Sequence, residues 1–184
     1  MYFSPRRSKM RIGLVGMVCA LFSPWVLGAQ PPSKSEDARE EEMTGLVVKV
    51  IDGDSIKIRE EGSDQTHEVQ IEGTDAPEAK QPYGGESTEA LRKMIFDRKV
   101  RITWSKKDNF DRRLAQVYLG DEHINQTMIR DGHAWHFKRY TQSKQLAQLE
   151  EEARKAKKGL WGAENPQAPW DYRKENRTPD KPDR

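Results

Sequence analysis

The sequence predicts an α+β fold in which five strands close into a small antiparallel barrel that carries about three helices. Two observations support this prediction. The predicted elements run as three strands, a helix, two strands and two helices, without the strand–helix alternation of a parallel sheet. The chain has 184 residues, of which 34% are charged, as expected for one small domain with a buried core and a polar surface.

The first half of the predicted domain contains three strands. Apolar residues dominate positions 46–51, Asp52-Gly53 is a strong hairpin signal, and isoleucines alternate with polar residues on the returning strand. A glycine-containing turn then leads to a third strand over 67–74. This segment therefore predicts a three-stranded antiparallel sheet.

The second half combines helices and strands. Apolar residues at helical spacing predict a helix over about 85–97, followed by strands at 99–104 and 113–119. A short second helix can end at Gly132, and a third helix is predicted over 146–160. The complete order fits a five-stranded barrel of the OB type.

The N-terminus has the pattern of a secretory signal peptide over residues 1–29. Four basic residues precede an apolar run at 12–27, and small residues ending at Ala29 supply a cleavage site. Pro24 and the short length of the run argue against a transmembrane anchor. Because a start at Met10 would also give a complete signal, both starts stay open. The pattern predicts an exported protein, periplasmic or secreted, without stable membrane association.

The rest of the chain divides into a polar linker at 30–43, a folded domain at 44–162 and a polar tail at 163–184 that is either wrapped on the surface or disordered. Removing the signal takes away four basic residues and no acidic ones, which changes the formal charge from +2 to −2. It also removes Cys19, the only cysteine. Disulfides, cysteine catalysis and cysteine-based zinc sites are thereby excluded.

Three acidic residues and an arginine are the candidate catalytic groups: Asp54, Asp75, Glu78 and Arg112. Carboxylates bind hard cations through oxygen, a further carboxylate can activate water, and an arginine can clamp a phosphate. Each residue alone also has a plain structural reading, because aspartates such as Asp52 and Asp54 are common beside tight turns. Only the combination is specific, and it suits metal-assisted phosphodiester hydrolysis.

Other polar residues are less informative. Lys138 and Tyr140 are consistent either with a solvated surface or with a basic and aromatic lip for a nucleotide, and both readings stay open. Arg113 is interpreted as an exposed basic edge, and it joins these two as a candidate nucleic-acid contact. His133 and His136 alternate with aromatic residues, which indicates packing rather than a zinc site.

Five motifs together resemble the staphylococcal nuclease (thermonuclease) family in the expected order. They are VIDGDS at 50–55, GTDAPE at 73–78, DNFDRRLA at 108–115, GHAW at 132–135 and GLW at 159–161. The resemblance implies an SNase-like OB-fold, calcium-dependent endonuclease that cuts DNA and RNA and leaves 3′-phosphate ends.

The family pattern also implies a role for each matching residue. Asp54 and Asp75 would be the calcium carboxylates, and the backbone carbonyl of Ala76 would be a further ligand. Asp52 would hold these ligands in position without binding the ion itself. A calcium ion accepts such a loose shell of oxygen ligands and keeps room for water and phosphate.

The catalytic pair would be Glu78, which positions or deprotonates the attacking water, and Arg112, which holds the phosphate in the transition state. The chain departs from the family at Gln70, five residues before Asp75, where a second phosphate-binding arginine is normal. Glutamine carries no charge, and losing one transition-state donor typically costs ~3 kcal/mol, or a factor of ~100 to 1000 in rate.

Two functions follow from these expectations. The first is an exported, monomeric, calcium-dependent nuclease acting on DNA or RNA. The alternative is a non-catalytic OB module that binds single-stranded nucleic acid or protein, motivated by Gln70.

Overall fold

The computed structural model describes residues 40–177, and within this range the chain forms eight β-strands and four α-helices. The strands are β1 (Glu41–Val50), β2 (Ser55–Glu60), β3 (Thr66–Ile71), β4 (Thr74–Asp75), β5 (Lys99–Lys107), β6 (Arg113–Leu119), β7 (Glu122–His123) and β8 (Trp135–His136). The helices are α1 (Gly84–Ile95), α2 (Ile124–Arg130), α3 (Lys144–Lys155) and α4 (Pro169–Glu175), and a 3-10 turn covers Gly159–Gly162.

Five strands form a closed barrel. β1 pairs with β2 and β5, β2 pairs with β3, and β5 pairs with β6, all antiparallel. β3 and β6 then pair in parallel, with Val69 opposite Arg113, and this pairing closes the barrel. The predicted five-stranded OB-type barrel is confirmed, but the expectation of purely antiparallel pairing is wrong at this seam. Parallel neighbours need a long connection, which the segment containing α1 and β5 provides.

The core lies where the apolar faces of the strands meet α1. In β2, Ile56 and Ile58 are fully buried, whereas Lys57 between them is partly exposed. Leu91 and Ile95 of α1 are fully buried in the same hydrophobic cluster. The apolar residues that alternate along the strands and those at helical spacing in α1 therefore pack into one common core.

A second cluster holds the C-terminal elements together. This tryptophan cluster consists of Trp135, Ala153, Leu160, Trp161 and Ala168, with Tyr83 and Trp170 packed against it. The ring centroids of Trp135 lie 4.4 Å from Trp161 and 5.3 Å from Trp170. Edge-to-face contacts at such distances stabilise the packing of large aromatic side chains. The 3-10 turn and α4 are thereby fixed to the domain.

Several element bounds differ from those expected from the sequence. The third helix ends at Lys155, because the chain turns through a left-handed conformation at Lys157 (φ 51°) and Gly159 (φ 51°). β1 already begins at Glu41, within the predicted linker, and α4 lies within the predicted tail at 163–184. A strand can begin in polar sequence when a neighbour such as β5 supplies its hydrogen bonds.

The predicted signal peptide, Cys19 and most of the linker lie outside the described residues. Between residues 40 and 177, none of the helices has the length and apolar character needed to cross a bilayer.

Candidate active site

The turn between β1 and β2 positions Asp52 and Asp54. The backbone N–H of Asp54 donates to Oδ1 of Asp52 at 3.1 Å, and the Asp54 side chain is buried. A glycine is needed between them, because a Cβ on Gly53 would lie 1.9 Å from Oγ of Ser87 and 2.7 Å from Cβ of Ala76. The turn is therefore packed directly against α1 and the segment that contains Ala76.

A hydrogen bond joins this turn to the second acidic motif. The backbone N–H of Ala76 donates to Oδ2 of Asp54 at 2.7 Å, and the N–H of Ile71 donates to the backbone carbonyl of Asp54 at 2.8 Å. Asp75 is buried and pairs with Trp135 in the short β4–β8 ladder. The fold therefore brings Asp54 and Asp75, which are 21 positions apart, to one place.

Glu78 follows Asp75 in the turn after β4. Its backbone N–H donates to Oε1 of the buried Gln81 at 3.1 Å, and Gln81 Nε2 donates to the backbone carbonyl of Gln167 at 2.7 Å. The Glu78 side chain remains 28% exposed. The backbone of this residue is thus fixed while its carboxylate stays accessible to water.

Arg112 is held by Asp108, a residue that the sequence analysis included in a motif but gave no role. Nε and Nη2 of Arg112 both lie 2.7 Å from Oδ2 of Asp108. The other carboxylate oxygen accepts the backbone N–H groups of Phe110 and Arg112, which fixes the loop before β6. Asp111 has a left-handed backbone with φ 62° in this loop. An aspartate that starts a tight loop before an arginine is the sequence signal for such an anchor.

Ser55, which has no role predicted from the sequence, connects the remaining predicted residues. Its Oγ lies 3.3 Å from Oδ1 of Asp54, 2.9 Å from Oε1 of Gln70 and 3.3 Å from Nη1 of Arg112. Ser55 and Gln70 are directly opposite each other in the β2–β3 ladder. Gln70 therefore lies within the site as an uncharged hydrogen-bonding group.

Arg173 of α4 is the second residue that sequence reasoning missed. Nη1 and Nη2 of Arg173 donate to the two carboxylate oxygens of Asp75 at 2.9 and 2.8 Å, and Nη1 also donates to Oε1 of Glu78 at 2.9 Å. This is a bidentate ion pair with a third charge-assisted bond. The sequence offered no local signal for it, because Arg173 is one of several charged residues in a polar tail.

Burial is the largest influence on the electrostatics of the two aspartates. Burial raises the pKa of Asp54 well above its ordinary value, and the negative charges of Asp52 and Asp75 raise it further. Burial also raises the pKa of Asp75, although the ion pair with Arg173 opposes this shift. A cation between the aspartates would stabilise their charged forms.

The donor set fits a hard divalent cation with a partly hydrated shell. Within residues 40–177, no cluster of three or more histidine, cysteine, aspartate or glutamate residues is arranged to hold a metal ion. A site at Asp54 and Asp75 would therefore need further oxygen ligands, such as the Ala76 carbonyl and water. Calcium commonly accepts this combination of carboxylate, carbonyl and water.

The predicted nucleic-acid contacts lie outside this hydrogen-bonded cluster. Lys138 forms an ion pair with Glu150 at 3.1 Å, and Tyr140 is 52% exposed beside Phe137. The guanidinium of Arg113 lies over the Trp104 ring at 4.9 Å. Their roles in binding nucleic acid remain predictions.

Comparison with known proteins relates this chain to one family. The family model described as staphylococcal nuclease homologue matches residues 68–163, just over half of the chain. The matched range contains Asp75, Glu78 and Arg112, whereas Asp54 precedes it.

The segment that matches this chain makes up a different share of each relative's length. A probable staphylococcal-like nuclease of Oryza sativa subsp. japonica is 42% identical over 111 residues, which are 60% of this chain and 30% of the rice protein. A staphylococcal-like nuclease of Arabidopsis thaliana is 34% identical over 109 residues, 59% of this chain and 34% of that protein. An uncharacterized endonuclease of Escherichia coli O157:H7 is 38% identical over 130 residues, 70% of this chain and 84% of the relative. The chain therefore belongs to the staphylococcal nuclease homologue family.

Proposed function

We propose that this protein is an exported, calcium-dependent endonuclease that hydrolyses phosphodiester bonds of DNA and RNA and leaves 3′-phosphate ends. The observation that carries the proposal is the convergence of Asp54, Asp75, Glu78 and Arg112 in one connected cluster. Ser55 links Asp54 to Arg112, and the guanidinium of Arg173 links Asp75 to Glu78. The names of the relatives, which include nucleases and an endonuclease, support the same reaction class.

Asp54, Asp75 and the backbone carbonyl of Ala76 would hold the calcium ion. When bound there, the ion supplies positive charge that polarises a phosphate oxygen and offsets the repulsion between the two aspartates. Asp52 accepts the backbone N–H of Asp54 and so keeps the ligand turn in shape. Because both aspartates are buried, this part of the site is organised before any ligand arrives.

Glu78 and Arg112 would act on the water and on the phosphate. The partly exposed carboxylate of Glu78 would take a proton from the attacking water. Arg112 would donate hydrogen bonds to the phosphate as its charge increases, while Asp108 holds the guanidinium in place. Acid–base catalysis and charge stabilisation would then fall to two groups, Glu78 and Arg112, that have separate anchors.

Gln70 limits the expected rate. It occupies the β3 position opposite Ser55, and its amide lies in the cluster without a positive charge. An arginine clamp binds phosphate through two charged hydrogen bonds, which a glutamine cannot provide. We therefore expect slower cleavage than a site with two phosphate-binding arginines would give.

The location and state of the protein are part of the proposal. Export is supported by the basic and apolar pattern of residues 1–29, which ends in small residues. We propose that the mature chain works as a monomer in the periplasm or outside the cell, with DNA and RNA as substrates.

A second candidate function is a non-catalytic module that binds single-stranded nucleic acid. The absence of charge at Gln70 and the ion pairs that Arg173 forms with Asp75 and Glu78 favour this alternative. Such a module would bind oligonucleotides through exposed aromatic and basic residues without cutting them.

Cleavage assays separate the two functions. Residues 30–184, wild type and Gln70→Arg, would be incubated with single-stranded DNA and RNA in calcium or in chelator. The proposal predicts slow, calcium-dependent cleavage by the wild type, 3′-phosphate products, and faster cleavage by Gln70→Arg. Binding by both proteins without cleavage would reject the nuclease and support the binding module. Cleavage by Gln70→Arg alone would show a competent scaffold that natural loss of the arginine has silenced.

A further inference from the structure

Arg173 donates hydrogen bonds to the same carboxylates that the proposed function assigns to metal binding and to water activation. Its guanidinium engages both carboxylate oxygens of Asp75 and one oxygen of Glu78, at 2.8 to 2.9 Å. The Arg173 side chain is 29% exposed and that of Asp75 only 9% exposed, so water screens this ion pair weakly. A guanidinium and a divalent cation would therefore use the same negative charge.

The helix that carries Arg173 is anchored by other contacts. Trp170 packs on Trp135 with ring centroids 5.3 Å apart, and it also lies 5.6 Å from the Phe137 ring. Pro169 is buried at the start of α4. These contacts do not involve the guanidinium, so α4 can stay docked when Arg173 leaves the carboxylates.

Gln81 couples the helix segment to the catalytic turn. It accepts the backbone N–H of Glu78 at 3.1 Å and donates to the Gln167 carbonyl at 2.7 Å, just before α4. This bridge holds the segment before α4 beside the turn of Glu78, and it does not involve Arg173. The effective concentration of the guanidinium at the site is therefore high, as for any tethered ligand.

We propose that Arg173 is an internal cation that competes with calcium for Asp75 while it also binds Glu78, so that the C-terminal helix sets the metal affinity of the active site. The inference rests on the proposed function in one respect, namely that Asp75 is a metal ligand. Calcium binding would require Arg173 to exchange its bonds to Asp75 for water or another partner. In the absence of calcium, Arg173 would offset part of the negative charge of the two carboxylates and occupy the oxygens of Asp75 that would bind the metal.

The first test measures calcium affinity without any nucleic acid. Isothermal titration calorimetry of the purified full chain with calcium chloride would compare wild type, Arg173→Gln and Arg173→Lys. Lys174→Gln is the matched control, because it removes the same charge from the neighbouring position of the same helix. We expect Arg173→Gln to bind calcium at least about tenfold more tightly. Losing a hydrogen bond to a charged group typically changes a binding constant by about tenfold or more. Arg173→Lys should lie between, because an ammonium cannot form the bidentate pair.

Unfolding gives an independent reading of the same competition. Arg173→Gln should lower the Tm in chelator, because Asp75 loses its partner, and should increase the rise in Tm that calcium produces. Unchanged or weaker calcium affinity in Arg173→Gln, an equal gain in Lys174→Gln, or no calcium binding by any of the proteins would overturn the proposal.

The outcome is separable from that of the proposed function. Tighter calcium binding by Arg173→Gln with no cleavage by any variant would support the competition and reject the nuclease. Calcium-dependent cleavage by the wild type, with equal calcium affinity in wild type and Arg173→Gln, would support the nuclease and reject the competition.

Discussion

The backbone N–H of Ala76 donates a 2.7 Å hydrogen bond to Oδ2 of Asp54, and this bond connects the two acidic motifs of the site. One oxygen of the aspartate is thereby fixed, and its charge is balanced in part by a backbone dipole. The bond lowers the pKa of Asp54, but burial and the neighbouring aspartates raise it more. The site therefore contains a carboxylate that is well positioned and poorly stabilised in its charged form.

Asp54→Asn should make the calcium-free protein more stable at neutral pH. The folded pKa of Asp54 is raised, so the folded state binds more protons than the unfolded state between the two pKa values. Wild-type stability should accordingly fall as pH rises through that window, and the variant should escape this fall. We therefore expect the stability advantage of the variant to appear as pH rises through that window and to be absent below it. Urea unfolding in chelator across acid to neutral pH would measure it.

The exposed Asp64 supplies the control for this experiment, because Asp64→Asn removes a carboxylate without changing a buried one. A stability difference between wild type and Asp54→Asn that is the same at every pH would contradict a raised pKa of Asp54 in the folded protein. Asp54→Asn should also lose calcium-dependent cleavage, since an amide is a poor substitute for a charged metal ligand.

Arg112→Lys should lower kcat by about 100-fold or more, because a lysine cannot keep both the Asp108 anchor and a forked contact to phosphate. Asp108→Asn should give a smaller loss, since it weakens the anchor but keeps the guanidinium. Arg59→Lys is the control, because Arg59 is an exposed arginine of β2. Equal losses in Arg112→Lys and Arg59→Lys would show that the Arg112 guanidinium has no special role in cleavage.

Gly53→Ala should destabilise the domain by about 1 to 3 kcal/mol, as overpacking of a tight site usually does. The added Cβ would collide with Ser87 and Ala76, and the Asp54 turn would have to move. Thermal unfolding and calcium titration would both register the change. Gly85→Ala is the matched control in α1, where a Cβ meets nothing within 4 Å and should stabilise the helix by about 0.5 to 1 kcal/mol. Loss of calcium affinity in both variants would contradict the role given to Gly53.

Tyr140→Ala should raise KM for single-stranded substrates about tenfold and leave kcat nearly unchanged. The ring is half exposed beside Phe137 and can stack on a base, a contact worth about 1 to 3 kcal/mol. Tyr140→Phe keeps the ring and should behave like the wild type. An unchanged KM in Tyr140→Ala would remove Tyr140 from the nucleic-acid surface.

The barrel and the acidic motifs could be predicted from the sequence, because both depend on local patterns. Alternating apolar residues and the Asp52-Gly53 turn mark the strands, and Asp75 and Glu78 fall in one short motif. The parallel β3–β6 seam was not predictable in this way, since alternation specifies a strand but not its partner. Arg173 was missed for a related reason, because its bonds to Asp75 span 98 positions.

Ser55 illustrates an intermediate case. It directly follows Asp54 in a recognised motif, but a serine in a strand has many ordinary uses. Its importance comes from its position opposite Gln70 and within 3.3 Å of Arg112, which only the closed barrel defines.

The most direct test of the nuclease mechanism compares wild type with Glu78→Gln at saturating calcium, with the calcium affinity of each protein measured first. Glu78→Gln should still bind calcium through Asp54 and Asp75, but it should cleave single-stranded DNA about 100 to 10,000 times more slowly, the usual loss for a general base. Cleavage at the wild-type rate by a calcium-saturated Glu78→Gln protein would contradict the account.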